Sequence, residues 1–251
     1  MHETDANDSR FAWQWSVILL VAAAIAFPFD ATVARWAGTL ESQLGGDLLR
    51  ELKALQQFGQ GAWILIIAIA FVSLQPWRAR RLLDFAAAVG MTSLISLMLK
   101  MLIGRPRPTF DDPLVILGPF RRYHVSDVAG LRHAWELWAP ISSDLWSMPS
   151  SHTSSVVAVA AFVIRMCPRL TGLMIGLAAI VAIARVILGA HYLSDVLFGA
   201  SVGWMVAGSI LHVDGGVRAI DWIWKRCVNR NATPALPRLL AAERAHNVAS
   251  P

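Results

Sequence analysis

The sequence has few charged residues and few cysteines, and each shortage excludes a class of protein. Only 16% of the 251 residues are charged and 56% are hydrophobic, whereas a soluble domain is usually ~45–50% apolar. A soluble globular domain is therefore excluded, and the composition predicts an integral membrane protein. The two cysteines, Cys167 and Cys227, lie at or beyond predicted helix ends on the side assigned below to the cytoplasm, where a disulfide is not expected, and they have no metal-ligand spacing.

The first ten residues lack the features of a secretory signal peptide. They are polar and acidic, and they have neither a basic start nor a small-residue cleavage site. We therefore expect the apolar run that follows to remain as a membrane anchor.

Hydropathy predicts an all-α, polytopic membrane helix bundle with six transmembrane helices. We place the spans at 13–29, 62–74, 82–103, 153–166, 170–188 and 192–213. The second and fourth are shorter than the ~20 residues that cross a bilayer, so we expect them to extend into polar turns at their outer ends. The bundle forms one domain, 1–228, with its chemical motifs within 82–213, followed by a tail over 229–251 that we predict to be disordered.

Arginine in the short loops predicts the orientation of this bundle. With six spans, one side of the membrane receives the loop arginines and the basic residues of the tail, namely Arg78, Arg80, Arg81, Arg165, Arg169, Arg218, Lys225, Arg226, Arg230, Arg238 and Arg244. The positive-inside rule makes that side cytoplasmic, with both termini inside. In a bacterium the protein would lie in the inner membrane, and the motifs described below would face the periplasm.

The net charge of +5 does not predict a nucleic-acid partner. The cations lie in loops, in the tail and at predicted span ends, so membrane orientation and an anionic ligand account for them better. Between the first two spans, Leu48, Leu52 and Leu55 share one face of a predicted helix over 47–58. We interpret it as an interfacial helix on the outer leaflet, the alternative being an ordinary exposed connector.

The first chemical cluster is Lys100-x6-Arg107-Pro108, at the end of the third span. Gly104, Pro106 and Pro108 break the helix there, so Lys100 and Arg107 can lie close together at the opening of one pocket. Arginine binds phosphate oxygens with a planar fork, and lysine supplies a point charge. The alternative is a pair of snorkelling cations at a membrane surface.

The second cluster, Pro149-Ser150-Ser151-His152, directly precedes an apolar run. Ser150 is positioned as an N-cap, and the amides of the following turn have no helical acceptor. A helix N-terminus attracts phosphate through those amides and through its dipole. The alternative is a plain serine cap beside an incidental histidine.

The third cluster is Arg185-x5-His191-x3-Asp195. On a helix, His191 and Asp195 would share a face, so the carboxylate could hold one imidazole nitrogen and leave the other as a nucleophile or base. Gly189 permits a turn that brings Arg185 back towards His191. The alternative is a buried His–Asp hydrogen bond that joins two helices.

Together these three clusters resemble the type 2 phosphatidic acid phosphatase family in order, internal spacing and position on spans three to six. The resemblance covers about residues 82–213. Two positions depart from the family pattern: Ser151 replaces the glycine of Pro-Ser-Gly-His, and Ala184 replaces the serine of Ser-Arg. The lost hydroxyl at position 184 removes one potential phosphate or supporting hydrogen bond, which puts substrate range and rate in question.

The resemblance implies a role for each matched residue. His191 would attack phosphorus and carry a phosphohistidine, Asp195 would orient it, and His152 would protonate the leaving oxygen and later activate water. The phosphate would be held by Lys100, Arg107, Ser150, Ser151 and Arg185. Since phosphoryl transfer depends mainly on positioning and charge stabilisation, three cations can supply what Mg²⁺ supplies elsewhere, and no metal or cofactor is expected.

Two other functions remain possible on the same residues. A metallohydrolase could use His152, His191 and Asp195 as ligands, although three cations at the same mouth would repel a divalent ion. A non-catalytic carrier could bind anionic lipids in a cationic pocket, although it gives no reason for pairing His191 with Asp195.

The predicted substrate is a lipid-linked phosphate or pyrophosphate that reaches the site within the bilayer. The headgroup, the oligomeric state and the role of loop 104–148 are not encoded. The loop residues Arg121, Arg122, Tyr123 and Arg132 would favour a pyrophosphate or a glycolipid.

Overall fold

The structure is a computed structural model, and it describes residues 3–124, 130–136 and 142–249. Part of loop 104–148 and the last two residues of the expected tail lie outside them. The α-helices of the described chain are α1 Glu3–Ala26, α2 Asp30–Gln43, α3 Gly46–Leu55, α4 Gly61–Leu74, α5 Arg81–Ile103, α6 Ser151–Met166, α7 Thr171–Ile187, α8 Leu193–His212, α9 Gly215–Cys227 and α10 Leu236–Ala249. A two-residue antiparallel pair, β1 Tyr123–His124 and β2 Leu131–Arg132, lies between α5 and α6.

Within the described chain, four helical stretches are long and apolar enough to cross a membrane: Trp13–Gln43, Arg81–Ile103, Pro168–Ile187 and Leu193–His212. The first is longer than the span predicted over 13–29, since a 3₁₀ turn at Phe27–Phe29 joins α1 directly to α2. Pro28 does not end the helix because proline is tolerated in a first turn. The shorter apolar helices α4 and α6 match the second and fourth predicted spans.

Helix α8 lies at the centre of the bundle and packs against α1, α5 and α6. Two glycines permit its approach to α6. A Cβ added at Gly199 would lie 2.6 Å from the Ser150 carbonyl oxygen, and one at Gly203 would lie 2.4 Å from that of Ser154. Both distances are too short for any side chain, so α8 holds the N-terminal end of α6 by direct backbone contact.

An ion-pair cluster lies at the end of the bundle that is formed by the start of α5. The buried Arg81 guanidinium pairs with Asp84, Asp214 and Glu243, and its bonds to the Glu243 carboxylate are both 2.9 Å long. His246 stacks on Trp77 with ring centroids 3.7 Å apart. These contacts fix α10 to the bundle.

Helix α10 differs from the disordered tail that we expected over 229–251. Its sequence is rich in alanine, leucine and arginine, which are strong helix formers. Leu236 and Leu239 are buried with Val217 of α9. Composition alone does not predict this helix, because it carries no information on the pairing of Glu243 with an arginine 162 residues earlier.

Helix α3 occupies most of the segment predicted as helical over 47–58. Leu48 and Leu55 are exposed on its surface, as an interfacial helix requires. The helix ends at Leu55, and the next residue, Gln56, is buried. Gln56 therefore lies inside the bundle, where its side chain contacts Arg185.

Candidate active site

Two segments meet side by side to form the floor of the site: the exit from α5 and the entry to α6. Arg105 and Trp146 form a parallel bridge, and the Ser147 amide donates to the Arg105 carbonyl at 3.0 Å. The Arg107 amide donates to the Asp144 carbonyl at 2.9 Å. These backbone bonds join the first and second clusters of the sequence.

The cations of the first cluster point into this junction. The buried Lys100 ammonium donates to the carbonyl of Trp146. Arg107 is half-buried, and its guanidinium donates to the Ser143 carbonyl at 2.8 Å and to the Ala190 carbonyl at 3.3 Å. Arg107 therefore contacts the segment that carries the third cluster.

Ser150 is the N-cap residue of α6, as the sequence predicted. Its hydroxyl accepts from Thr153 Oγ1 at 3.1 Å and makes no capping bond to a backbone amide. Its own amide donates to the Asp195 carbonyl at 3.0 Å. Ser151 and His152, both half-buried, follow in the first turn, whose amides have no acceptor within a helix.

The predicted turn between Arg185 and His191 is confirmed. Helix α7 ends at Ile187, Gly189 has φ = 60°, and the amides of Ala190 and His191 both return to the Arg185 carbonyl. The Arg185 guanidinium donates to Gln56 Oε1 at 2.6 Å. The loop after α3 thus contributes to the site, a contact that the clusters alone did not indicate.

The His191 ring is held by a backbone carbonyl. Its Nδ1 lies 2.7 Å from the Ser147 carbonyl oxygen and 3.9 Å from Asp195 Oδ2. A carbonyl only accepts, so Nδ1 carries the proton and Nε2 carries the lone pair. A direct hydrogen bond from the imidazole to Asp195 is absent from these contacts. His191 precedes α8, so the helical i, i+4 spacing does not apply to this pair.

His191 lies in a cationic environment. It is 2% exposed, and burial lowers the pKa of its imidazole well below the ordinary value, with further lowering by Lys100, Arg185 and Arg107. We call these three residues, which the family resemblance leads us to expect at a phosphate, the phosphate-site cations. The ring is therefore neutral at physiological pH, with its lone pair available.

Asp195 is connected to His191 through an intermediate residue, Ser147. Its carboxylate accepts from Ser147 Oγ at 2.5 Å and from the Tyr192 amide at 2.9 Å. Arg105 Nη1 donates to its other oxygen at 2.6 Å. Because Ser147 also holds His191, the path from the carboxylate to the imidazole runs through a single residue.

Sequence analysis missed Arg105, Asp30, Ser147 and Gln56. Arg105 is fully buried between Asp195 and Asp30, at 2.6 and 2.7 Å, and its guanidinium lies over the ring of Tyr192. The sequence did contain a signal for two of them, because Asp30 is an acidic residue beside an apolar segment and Arg105 lies within the first cluster. Charged residues near membrane spans are candidates for a functional site. Their pairing across 75 residues is not visible in the sequence.

No group of three or more histidine, cysteine or acidic side chains positioned to hold a metal ion occurs within residues 3–124, 130–136 and 142–249. The Asp195 carboxylate, one of the ligands in the metallohydrolase alternative, is already bonded to Arg105 and Ser147.

Residues 81–218, more than half of the chain, match the family model described as the PAP2 superfamily. The chain belongs to the PAP2 superfamily. The matched range begins at the start of α5 and ends in α9, so it contains all three clusters. Arg105 and Ser147 lie inside it, whereas Asp30 and Gln56 lie outside it.

Individual proteins resemble this PAP2 chain as well. Decaprenylphosphoryl-5-phosphoribose phosphatases from two strains of Mycobacterium tuberculosis (CDC 1551 / Oshkosh and ATCC 25618 / H37Rv) are each 27% identical over 173 residues, which cover 67% of this chain and 82% of the relative. A crystal structure of a transmembrane PAP2-type phosphatidylglycerolphosphate phosphatase from Bacillus subtilis superposes with a TM-score of 0.55 at 22% identity. That superposition covers 82% of this chain and 96% of the other, and it shows that the fold is shared.

Family, fold and composition agree on the general function. The protein is an enzyme of the PAP2 phosphatase family and an integral membrane protein.

Proposed function

We propose that this PAP2 phosphatase hydrolyses a lipid-linked phosphate or pyrophosphate through a phosphohistidine on His191. One observation supports the proposal most: the Ser147 carbonyl fixes the proton on Nδ1, so Nε2 is a neutral nucleophile beside the phosphate-site cations. A neutral imidazole next to three cations is suited to attack an anionic phosphate.

In the first step, Nε2 of His191 forms a bond to phosphorus while the bond from phosphorus to the lipid oxygen breaks. The negative charge of the bound phosphate offsets the neighbouring cations and favours protonation of His152. His152 gives that proton to the lipid oxygen, and the lipid alcohol or lipid phosphate leaves. In the second step, His152 takes a proton from water, whose oxygen attacks phosphorus and releases His191. Inorganic phosphate is the product, and both histidines return to their starting states.

The phosphate would be held by Lys100, Arg107, Arg185, Ser150 and Ser151 together with the amides of the first turn of α6. Arg185 Nε is buried and has no hydrogen-bond partner among the described residues, so it is a donor available to a phosphate oxygen. Ala184 is fully buried and offers no hydroxyl there. We expect the phosphate to be bound without a metal, because the cations supply the positive charge.

A lipid substrate is supported by an apolar groove of about 770 Å³ between α1, α2, α6, α7 and α8. It extends from Trp15 and Trp36 to Thr153 and Val196, next to the catalytic His152 and Asp195. An acyl or isoprenoid tail could lie there with its phosphate at the site. The Mycobacterium tuberculosis relatives are named for a decaprenyl-linked sugar phosphate, so a polyprenyl-linked phosphate is the first substrate to test.

We further propose six transmembrane spans, with both termini in the cytoplasm and the site on the outer, periplasmic face of the inner membrane. The arginine distribution of the short loops supports this topology. Single cysteines at the exposed positions Arg121 and Arg230, in a background without Cys167 and Cys227, test it. An impermeant thiol reagent on spheroplasts should label position 121 only, and labelling of position 230 alone would reverse the topology.

The chemistry is tested by phosphate release from a panel of lipid phosphates in detergent, with and without EDTA. The panel contains polyprenyl-linked phosphates and pyrophosphate, phosphatidylglycerol phosphate, phosphatidic acid and a water-soluble phosphate ester. Equal hydrolysis of the soluble ester would exclude a lipid preference. Activity that is lost in EDTA and restored by a divalent ion would favour the metallohydrolase, and binding without phosphate release would favour the carrier.

The covalent step is tested by two substitutions. His191→Ala should abolish turnover and leave the fold intact, because it removes the attacking nitrogen. His152→Ala should slow phosphoenzyme breakdown more than its formation, at least with a good leaving group, so an acid-labile, base-stable phosphoprotein should accumulate. A fully active His191→Ala variant would refute the mechanism.

A further inference from the structure

A buried network of charges surrounds the nucleophile and includes residues from outside the three clusters. Arg105, Asp30 and Asp195 are all 0% exposed. Arg105 Nη2 donates to Asp30 Oδ2 at 2.7 Å, and its Nη1 donates to Asp195 Oδ1 at 2.6 Å and to Ser194 Oγ at 2.8 Å. Asp30 also accepts the Ser194 amide at 3.0 Å, which ties α2 to the start of α8.

Arg105 holds Ser147 from two sides. The backbone carbonyl of Arg105 accepts the Ser147 amide at 3.0 Å. The guanidinium of Arg105 holds Asp195, whose other oxygen accepts from Ser147 Oγ at 2.5 Å. The Ser147 carbonyl in turn holds His191 Nδ1 at 2.7 Å. Loss of the guanidinium therefore removes one of the two supports of the residue whose carbonyl orients the imidazole.

We propose that Arg105, held in place by Asp30, is a positioning residue that fixes Asp195 and Ser147 and thereby orients His191 for phosphoryl transfer. Neither Arg105 nor Asp30 contacts the reacting atoms. The inference rests on the proposed role of His191 as nucleophile. Buried ion pairs contribute little net stability, since desolvation offsets much of the attraction, so a role in orientation explains why the charges are retained.

The network also brings charge close to His191, because Arg105 is bonded to Asp195, whose Oδ2 lies 3.9 Å from His191 Nδ1. The proposal therefore predicts a change in pH dependence. The charged groups that act on His191 are Lys100, Arg107, Arg185 and Asp195. The titratable His152 lies near the same three cations. Arg105→Gln removes a positive charge and should move the acid limb of the kcat–pH profile to higher pH. Asp30→Asn removes a negative charge and should move it to lower pH, each by about half a unit or more. A role in stability alone would not produce shifts of opposite sign.

Asp84→Asn is a matched control. Asp84 is likewise buried, accepts a backbone amide at 3.0 Å and pairs with an arginine, but it lies at the opposite end of the bundle. We expect Asp30→Asn and Arg105→Gln to lower kcat about 10- to 100-fold with little change in KM, the usual effect of supporting residues around a site. We expect Asp84→Asn to affect thermal stability but not kcat. Arg105→Lys keeps the positive charge but loses the two-pronged guanidinium. Its pH profile should therefore match that of the wild type, whereas its kcat should lie between those of Arg105→Gln and the wild type.

The experiment measures kcat, KM and pH profiles of purified full-length variants on one lipid phosphate, with monodispersity checked by size exclusion. If Arg105→Gln does not fold, Arg105→Lys and Asp30→Asn still test the proposal. The proposal would be overturned if the Arg105 and Asp30 variants lost no more kcat than Asp84→Asn and the acid limbs of their pH profiles did not move. Trapping of wild-type phosphoenzyme separates the two claims: without trapped phosphate on His191 the proposed mechanism fails, whereas trapped phosphate with unaffected variants refutes the positioning role alone.

Discussion

Ser147→Ala removes one hydroxyl and leaves the rest of the site in place. In the native site this hydroxyl donates to the buried Asp195 carboxylate at 2.5 Å, while the Ser147 carbonyl holds His191. The substitution keeps the carbonyl, so the tautomer of His191 should not change. It therefore tests whether the link from Asp195 to His191 through Ser147 contributes to catalysis.

The structure sets the expected magnitude. A hydrogen bond to a charged group contributes about 1.5–3 kcal/mol. If all of this energy were expressed only in the transition state, kcat would fall about 10- to 150-fold. Asp195 retains the bonds from Arg105 and from the Tyr192 amide, and His191 retains its carbonyl partner, so we expect a loss near the lower limit, about 10-fold.

The assay is kcat and KM on a lipid phosphate in detergent micelles, together with thermal unfolding of the same preparations. Ser201→Ala is the matched control, because Ser201 is also buried and its hydroxyl donates to the Ser16 carbonyl at 2.8 Å, in contact with α1. Both variants should unfold at lower temperature, but only Ser147→Ala should lose kcat. Equal kcat in the two variants would show that the link through Ser147 has no catalytic role.

Three further predictions follow from the same contacts. Because burial and cations lower the pKa of His191, its neutral form persists below the ordinary pKa of 6.5, and kcat should fall only at more acidic pH; a fall centred above pH 6.5 would contradict this. Gln56→Glu places a carboxylate against Arg185 and should raise KM about 10-fold, about 1.4 kcal/mol, by competing with phosphate, whereas Gln57→Glu on the exposed neighbouring position should not. Glu243→Gln breaks the ion pair with Arg81 and should make helix α10 sensitive to trypsin without changing kcat; unchanged proteolysis would show that other contacts hold α10.

The residues that we propose to hold the phosphate could be picked out from the sequence because their types and spacing within short segments carry chemical meaning. Lys100, Arg107 and Arg185 are cations near helix ends, and the Gly189 turn that returns Arg185 to His191 was predicted from one residue. The expectation that the Asp195 carboxylate bonds His191 directly was wrong for a local reason. Helix α8 begins at Leu193, so His191 is outside the helix. Spacing predicts a shared helical face only when both residues belong to the helix.

The supporting contacts could not be predicted, because each joins segments far apart in the chain. Asp30 meets Arg105 only when α2 packs beside the exit of α5, and Gln56 meets Arg185 across 129 residues. The carbonyl of Ser147 has no sequence signature, since every residue has one. Helix α10 was missed for the same reason, because its attachment depends on Arg81, which lies 162 residues before Glu243.

The pairing of Asp30 with Arg105 has a practical consequence for anyone who trims this protein. A fragment spanning residues 81–218 would carry every residue of the three clusters and the whole region of this chain that matches the family model. It would nevertheless lack the carboxylate of α2 and the amide oxygen of Gln56, and a fully buried guanidinium would lose one of its two counter-ions. The region recognised by homology is therefore smaller than the unit that must be expressed, mutated or redesigned as a whole.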